Sequence, residues 1–206
     1  MSKIGIFGGT FNPVHKGHER TAVEFYGKYG LDKLMVIPSN IPPHKQVDAR
    51  VTAIQRFEMC RVCFGKYSCN ICVSDIEIRK HGVSYTYDTL ADIRKSYTDG
   101  KIYFLVGSDM FLCLESWYKY QELLKLCAFV VAFRNERDKR EVLEFREKFM
   151  EAGAEVELLE NEPFEISSTE LRRYIINNRP GLDRYISAEV LDYIKGQGIY
   201  GKLGRA

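Results

Sequence analysis

The sequence predicts an α/β protein: a parallel sheet with helices on both faces. Three observations carry that reading. Short strand-like apolar runs alternate with longer helical patterns along the whole chain, and such alternation builds a parallel sheet layered by helices. The length of 206 residues fits one large domain, or one domain with a small appendage, and is enough to bury a sizeable core. No internal repeat, low-complexity tract or Pro/Gly/Ser linker divides the chain, so 1–206 reads as one unit with a helical C-terminal part over 166–206.

The elements follow in order. Lys3–Gly8 is a first apolar strand. Gly17–Lys28 is a helix with Gly30 as its stop. Lys33–Pro38 is a second strand, Val51–Phe64 a helix and Asn70–Ile78 a third strand. Thr86–Tyr97 is amphipathic and ends before Asp99-Gly100. Lys101–Val106 is a strand, Tyr118–Leu126 a helix and Ala128–Phe133 a buried strand. Lys139–Ala152 places Val142, Phe145 and Phe149 on one helical face, and Glu155–Leu159 is a last strand. Ser168–Asn177 and Ser187–Gly196 close the chain as helices. Gly196-Gln197-Gly198-Ile199-Tyr200-Gly201 fits G-x-G-x-x-G but follows a helix instead of a strand, so it reads as a helix C-cap and turn.

Ligands of such sheets bind beyond the carboxyl ends of the strands. There the chain carries Gly8-Gly9-Thr10-Phe11-Asn12-Pro13-Val14-His15-Lys16-Gly17-His18. Glycines admit a ligand close to backbone, and Pro13 stiffens the turn. His15 and His18 share a face at the first helical turn, where backbone N–H groups favour an anion. Together these features point to a polyphosphate site. A metal pair would need a third ligand, and the P-loop string G-x-x-x-x-G-K-[ST] is absent. On the same rim, the strand Lys101–Val106 ends at Gly107-Ser108-Asp109. A later segment, Ile166-Ser167-Ser168-Thr169-Glu170-Leu171-Arg172, holds a capping box with Ser167 as N-cap. Capping explains it structurally. The same helix start also offers N–H groups and hydroxyls to phosphate, and Arg172 adds a guanidinium fork.

These two segments resemble the paired signatures of the nucleotidyltransferase superfamily, the first met by His15-Lys16-Gly17-His18. With Gly107-Ser108-Asp109 and Trp117 between them, the chain looks like the bacterial nicotinate-nucleotide adenylyltransferases over nearly its whole length. Asn12 stands where many members carry Asp; both are short turn formers. The resemblance implies a Rossmann-like sheet and adenylyl transfer from ATP, with Mg²⁺, to nicotinate mononucleotide, releasing pyrophosphate. It implies catalytic roles for His15, His18 and Arg172. ATP would meet Gly8, Gly9, Thr10, Phe11, His15, His18, Gly107, Asp109, Ile166, Ser167, Ser168 and Arg172. The acceptor would meet Asn40, His44, Lys45, Thr86, Trp117, Tyr118 and Arg134.

Each acceptor-side residue also has a structural reading. Asn40-Ile41-Pro42-Pro43-His44-Lys45 is a stiff, extended loop that solvent alone would explain. The hydroxyls around Thr86 cap a helix. A lone Trp117 is usual in a core, yet an electron-poor pyridine stacks well on an indole face. Arg134-Asn135 departs from the Arg-Pro of the family. Asp109 is either a turn residue or a group that positions the ribose or adenine end of ATP. No general base is required, because a phosphate monoester is ionised near neutral pH. The work is charge neutralisation and in-line alignment.

Composition bounds the alternatives. Thirty Lys and Arg against 28 Asp and Glu give a net charge of +2, which does not argue for nucleic-acid binding. No apolar run is long enough to span a bilayer, and the N-terminus lacks the pattern of a signal peptide, so a cytoplasmic protein is expected. Cys60, Cys63, Cys69 and Cys72 form two C-x-x-C pairs. Their separation, residues 64–68, falls far short of the zinc-ribbon loop of about 15–20 residues, which favours core filling over zinc. The competing functions are another adenylyl- or cytidylyltransferase such as phosphopantetheine adenylyltransferase, a non-catalytic nucleotide-binding regulator, and a zinc-binding module. The sequence leaves open the choice of nicotinate or nicotinamide mononucleotide, and whether the chain forms a homo-oligomer.

Overall fold

Strand β1 (Lys3–Gly9) lies at the centre of a six-stranded sheet with β2 (Lys33–Pro38), β3 (Ile71–Val73), β4 (Lys101–Gly107), β5 (Ala128–Ala132) and β6 (Val156–Leu159). The order is β3-β2-β1-β4-β5-β6, and every pair is parallel. The computed structural model describes residues 1–43, 51–67, 70–133, 139–160, 164 and 166–201.

The helices are α1 (Lys16–Tyr29), α2 (Ala53–Phe64), α3 (Ile76–Arg79), α4 (Thr86–Ser96), α5 (Ser108–Phe111), α6 (Tyr120–Leu123), α7 (Lys139–Glu151), α8 (Ser168–Ile176) and α9 (Ala188–Gly196). Alternate strand residues feed two apolar layers, as the period of two requires. Leu34, Leu105 and Val130 join Phe25 of α1, Met59 of α2, Leu171 of α8 and Ile194 of α9 on one face. Phe104, Val106 and Val131 join Leu90 of α4, Phe111 of α5 and Phe149 of α7 on the other. Cys60 and Cys63 sit in the first layer. Burial raises both thiol pKa values, that of Cys63 to about 12, so these groups stay protonated and apolar in character. No group of three or more metal-ligating side chains gathers among the described residues; Cys69 lies outside them. No described helix is long and apolar enough to cross a membrane.

Two expectations are corrected. The strand expected over Asn70–Ile78 pairs only through Ile71–Val73, at the sheet edge. The chain then turns into α3, where Arg79 pairs with Asp75 at 2.7 Å and Glu77 points inward to accept a bond from Thr89 Oγ1 at 2.8 Å. The helix expected over Tyr118–Leu126 is confined to α6, because Lys119 takes a left-handed conformation (φ 52°) at its start. Helix α5 and a 3-10 turn at Leu114–Ser116 occupy the connection before it.

The strand order places the functional rim. Chain direction across the sheet reverses between β1 and β4, so the loops leaving these neighbours diverge and open a crevice at their carboxyl ends.

Candidate active site

A cleft of about 720 Å³ occupies that crevice, a size suited to small-molecule ligands. Its floor is the end of β1. Gly9 leaves room there, since a Cβ would press on the Phe11 ring at 3.0 Å. Phe11 itself is 2% exposed and takes a left-handed φ of 48°, a conformation that costs about 1–3 kcal/mol for a side chain of this kind. Edge contacts of its ring with Phe7 (5.2 Å) and His18 (5.1 Å) hold it there.

The two histidine rings lie close together at a tilt of 34°, with centroids 3.7 Å apart. His15 is the N-cap of α1 in extended conformation. Its backbone N–H donates to His18 Nδ1 at 3.3 Å. Nδ1 is thereby the acceptor nitrogen, and the neutral ring carries its proton on Nε2. On its other side, His15 stacks near-parallel to Phe164 at 5.9 Å. Gly17 makes that possible, since a Cβ there would lie 2.8 Å from the Phe164 ring. Lys16 is turned elsewhere: its Nζ donates to the Asp183 carbonyl at 2.6 Å.

The start of α8 closes the same cleft from the far end of the chain. The capping box is present: Ser167 Oγ accepts from the Glu170 N–H at 3.2 Å, and Glu170 Oε2 accepts from the Ser167 N–H at 3.0 Å. Ser168 Oγ donates to the Pro13 carbonyl at 3.0 Å. Arg172 Nη1 donates to the Asn12 carbonyl at 2.5 Å, and its Nη2 to Thr169 Oγ1 at 3.1 Å. The two separated sequence segments are thus joined by direct hydrogen bonds.

An aromatic wall bounds the other end. Trp117 is half-buried, edge-on to Phe104 at 6.2 Å. Tyr118 is exposed and lies 4.6 Å from Tyr85. Lys119 Nζ sits over the rings of Tyr87 and Tyr118 at 4.6 and 5.2 Å.

The cleft therefore gathers Gly8, Gly9, Thr10, Phe11, His15, His18, Gly107, Ile166, Ser167, Ser168 and Arg172 with Thr86, Trp117 and Tyr118. Asn40 and Asp109 are not among its lining residues. The Asn40 amide is drawn away to donate to the Gly82 carbonyl at 3.1 Å, and Asp109 lies in the first turn of α5. His44, Lys45 and Arg134 lie outside the described residues. Sequence reasoning missed Glu77, Phe164, Tyr200 and Arg56. Glu77 lines the cleft, and burial raises its pKa against hydrogen bonds from Thr89 and Ser84 that lower it. Tyr200 is buried in the C-terminal turn, and its hydroxyl hydrogen-bonds Asn12 Oδ1. Only the two glycines around Tyr200 signalled a turn; nothing local signalled its partner.

Residues 6–174 match the model of the cytidylyltransferase-like family. A probable nicotinate-nucleotide adenylyltransferase of Clostridium acetobutylicum is 35% identical over 201 residues, covering 97% of this chain and 100% of the relative. The nicotinate-nucleotide adenylyltransferase of Bacillus subtilis is 34% identical over 200 residues, covering 97% and 99%. The chain belongs to the cytidylyltransferase-like family, among its nicotinate-nucleotide adenylyltransferases. The enzyme also shares its fold with the nicotinic acid mononucleotide adenylyltransferase of Plasmodium falciparum, solved in complex with NaAD. That match has a TM-score of 0.77 at 22% identity and covers 97% of this chain and 98% of the other.

The hydrogen bonds onto Asn12 yield a test of the enzyme's architecture. Tyr200→Phe leaves a buried Asn12 acceptor without its donor, at a cost of about 1–3 kcal/mol. Urea denaturation should register a loss in that range; an unchanged midpoint would mean that the bond contributes nothing.

Proposed function

We propose that this enzyme transfers the adenylyl group of Mg-ATP to the 5′-phosphate of nicotinate mononucleotide, forming nicotinate adenine dinucleotide and pyrophosphate. One observation carries the reading. The histidine pair, the start of α8 with Arg172, and the Trp117–Tyr118 wall share one cleft at the reversal point of the sheet. Phosphate-binding and ring-binding chemistry therefore lie within reach of a single pair of nucleotides. The curated relatives named above carry the same activity in their names.

The bond changes are simple. A 5′-phosphate oxygen of the acceptor attacks the α-phosphorus of ATP, and the bond from that phosphorus to the bridging oxygen of pyrophosphate breaks. The nucleophile is a dianion above a second pKa of about 6, so no side chain needs to take a proton from it. What the protein supplies is alignment and neutralisation of charge. Gly8, Gly9, Thr10 and Phe11 bring backbone to the ATP side. His18, with its proton on Nε2, donates to phosphate oxygens, and His15 stands beside it as a second donor. Residues Ile166, Ser167 and Ser168 present the α8 N-terminus to the triphosphate, where helix N–H groups favour negative charge. Arg172 adds a fixed positive charge. Mg²⁺ arrives with the triphosphate as part of the substrate. Gly107 bounds the ATP side, and Asp109, in the first turn of α5, is assigned to the ribose or adenine end of ATP.

On the acceptor side, Trp117 and Tyr118 offer aromatic faces to the pyridine ring, and Thr86 opens α4 next to them. Lys45 and Arg134 are assigned to the acceptor phosphate, and Asn40 and His44 to the acceptor nucleotide. The chemistry also separates the alternatives. A regulator that only binds nucleotide has no need of two imidazoles and a guanidinium in one cleft. The choice of acceptor is tested directly by comparing kcat/KM for nicotinate mononucleotide, nicotinamide mononucleotide and phosphopantetheine in a pyrophosphate-release assay.

His18→Ala should lower turnover by at least about a hundredfold, the magnitude of one lost oxyanion donor, with the fold retained by circular dichroism. Near-normal turnover would remove His18 from the mechanism. Trp117→Ala should raise the KM for nicotinate mononucleotide by about tenfold or more, as loss of a stacked aromatic of 0.5–1.5 kcal/mol plus its buried area predicts, while the KM for ATP changes little. Equal changes in both constants would mean that Trp117 is a packing residue.

A further inference from the structure

Arg56 takes no part in the roles above. It lies on α2, is 1% exposed and does not line the cleft. A guanidinium buried this deeply is costly unless hydrogen-bonded. Its Nη1 donates to the Thr10 carbonyl at 2.9 Å and its Nη2 to the Asn40 carbonyl at 2.8 Å. Nε has no hydrogen-bond partner among the described residues. Two backbone carbonyls therefore hold the group, and they belong to different loops. Thr10 follows β1 on the side assigned to ATP. Asn40 follows β2 on the side assigned to the acceptor.

The tie continues beyond Asn40. The Asn40 N–H donates to Ser84 Oγ at 2.9 Å, and the Ser84 N–H donates to the Ile41 carbonyl at 2.9 Å. The Ser84 and Thr89 hydroxyls both bond Glu77, whose charge also faces Arg56. Thr89 belongs to α4, the helix that Thr86 begins. One guanidinium thus anchors a continuous hydrogen-bonded path from the glycine loop to the start of α4.

We propose that Arg56 is a positioning residue that sets the spacing between the ATP loop and the acceptor loop, and hence the in-line distance of the reaction, without touching either substrate. This rests on the function proposed above. The guanidinium suits the task because it is planar and its two terminal nitrogens are fixed relative to each other. A lysine carries the same charge on a flexible stem without that fork. The consequence is a separation of binding from chemistry. Each loop keeps its own residues, so each substrate binds alone as before. Only their mutual placement is lost, and a misplacement of about 1 Å costs on the order of a hundredfold in rate.

The test uses Arg56→Lys and Arg56→Gln, whose amide keeps a donor but cannot span both carbonyls. Steady-state kinetics give kcat, and calorimetry gives Kd separately for α,β-methylene-ATP and for nicotinate mononucleotide. Arg56→Lys should lower kcat by about 10–100-fold, with both Kd values within about threefold of wild type. Arg56→Gln should show the same pattern. Unchanged kcat in a folded Arg56→Lys protein, or weakened Kd values that account for the whole loss, would overturn the proposal. Where Arg56→Lys fails to fold, Arg56→Gln decides by the same criteria. A wild-type enzyme that binds neither compound overturns the functional reading itself. An active wild type with a fully active Arg56→Lys variant overturns this inference alone.

Discussion

The loop from Thr10 to His15 is the constraint on which the rest of this structure depends. Residues 10–14 lie outside helix and strand, yet with His15 they hold two imidazoles and a run of backbone at the cleft. The loop's polar groups are satisfied by side chains from distant parts of the chain. Thr10 gives its carbonyl to Arg56, Asn12 to Arg172 and Pro13 to Ser168, while the Asn12 side chain bonds Tyr200. Hydrogen bonds to charged donors contribute about 1.5–3 kcal/mol each, and more is at stake when a buried acceptor is left without one. The loop is thus rigid because the fold converges on it, with Phe11 held in a conformation that it would not take unaided.

In the mechanism proposed above no side chain is an activated nucleophile, and the convergence on this loop suits that chemistry: donors oriented before substrate arrives leave little reorganisation for the reaction step. His18 is held by the His15 backbone N–H, and His15 by the Phe164 face. Arg172 serves twice. It fixes the Asn12 carbonyl and stands at the cleft wall. The buried cysteines contribute apolar volume beneath α2, and their raised pKa values remove them from chemistry near neutral pH.

Much of this was legible in the sequence because it is local. Apolar runs separated by amphipathic segments gave the order of strands and helices, and the Ser167–Glu170 box marked the start of α8 from four residues. The histidine pair was visible by spacing. The failures were tertiary. Ile76 and Ile78 look like a continuation of β3, yet the burial of Glu77 between the Ser84 and Thr89 hydroxyls bends the chain into α3. The positive φ of Lys119 has no signature in a non-glycine residue. Arg56 reads as a charged position on a helix, and Tyr200 as part of a terminal turn. Their partners lie 46 and 188 positions away in the chain, and only the folded chain brings them to the loop.

In the proposed reaction the adenylyl group moves once, directly from donor to acceptor, with the histidines as hydrogen-bond donors. Stereochemistry at the α-phosphorus tests this most directly. With one diastereomer of adenosine 5′-(α-thiotriphosphate) as donor and nicotinate mononucleotide as acceptor, a single in-line displacement inverts the configuration at phosphorus in the dinucleotide product. Inversion is the predicted result. Retention would require two displacements, with the adenylyl group carried on a side chain such as His15 or His18, and would contradict the mechanism.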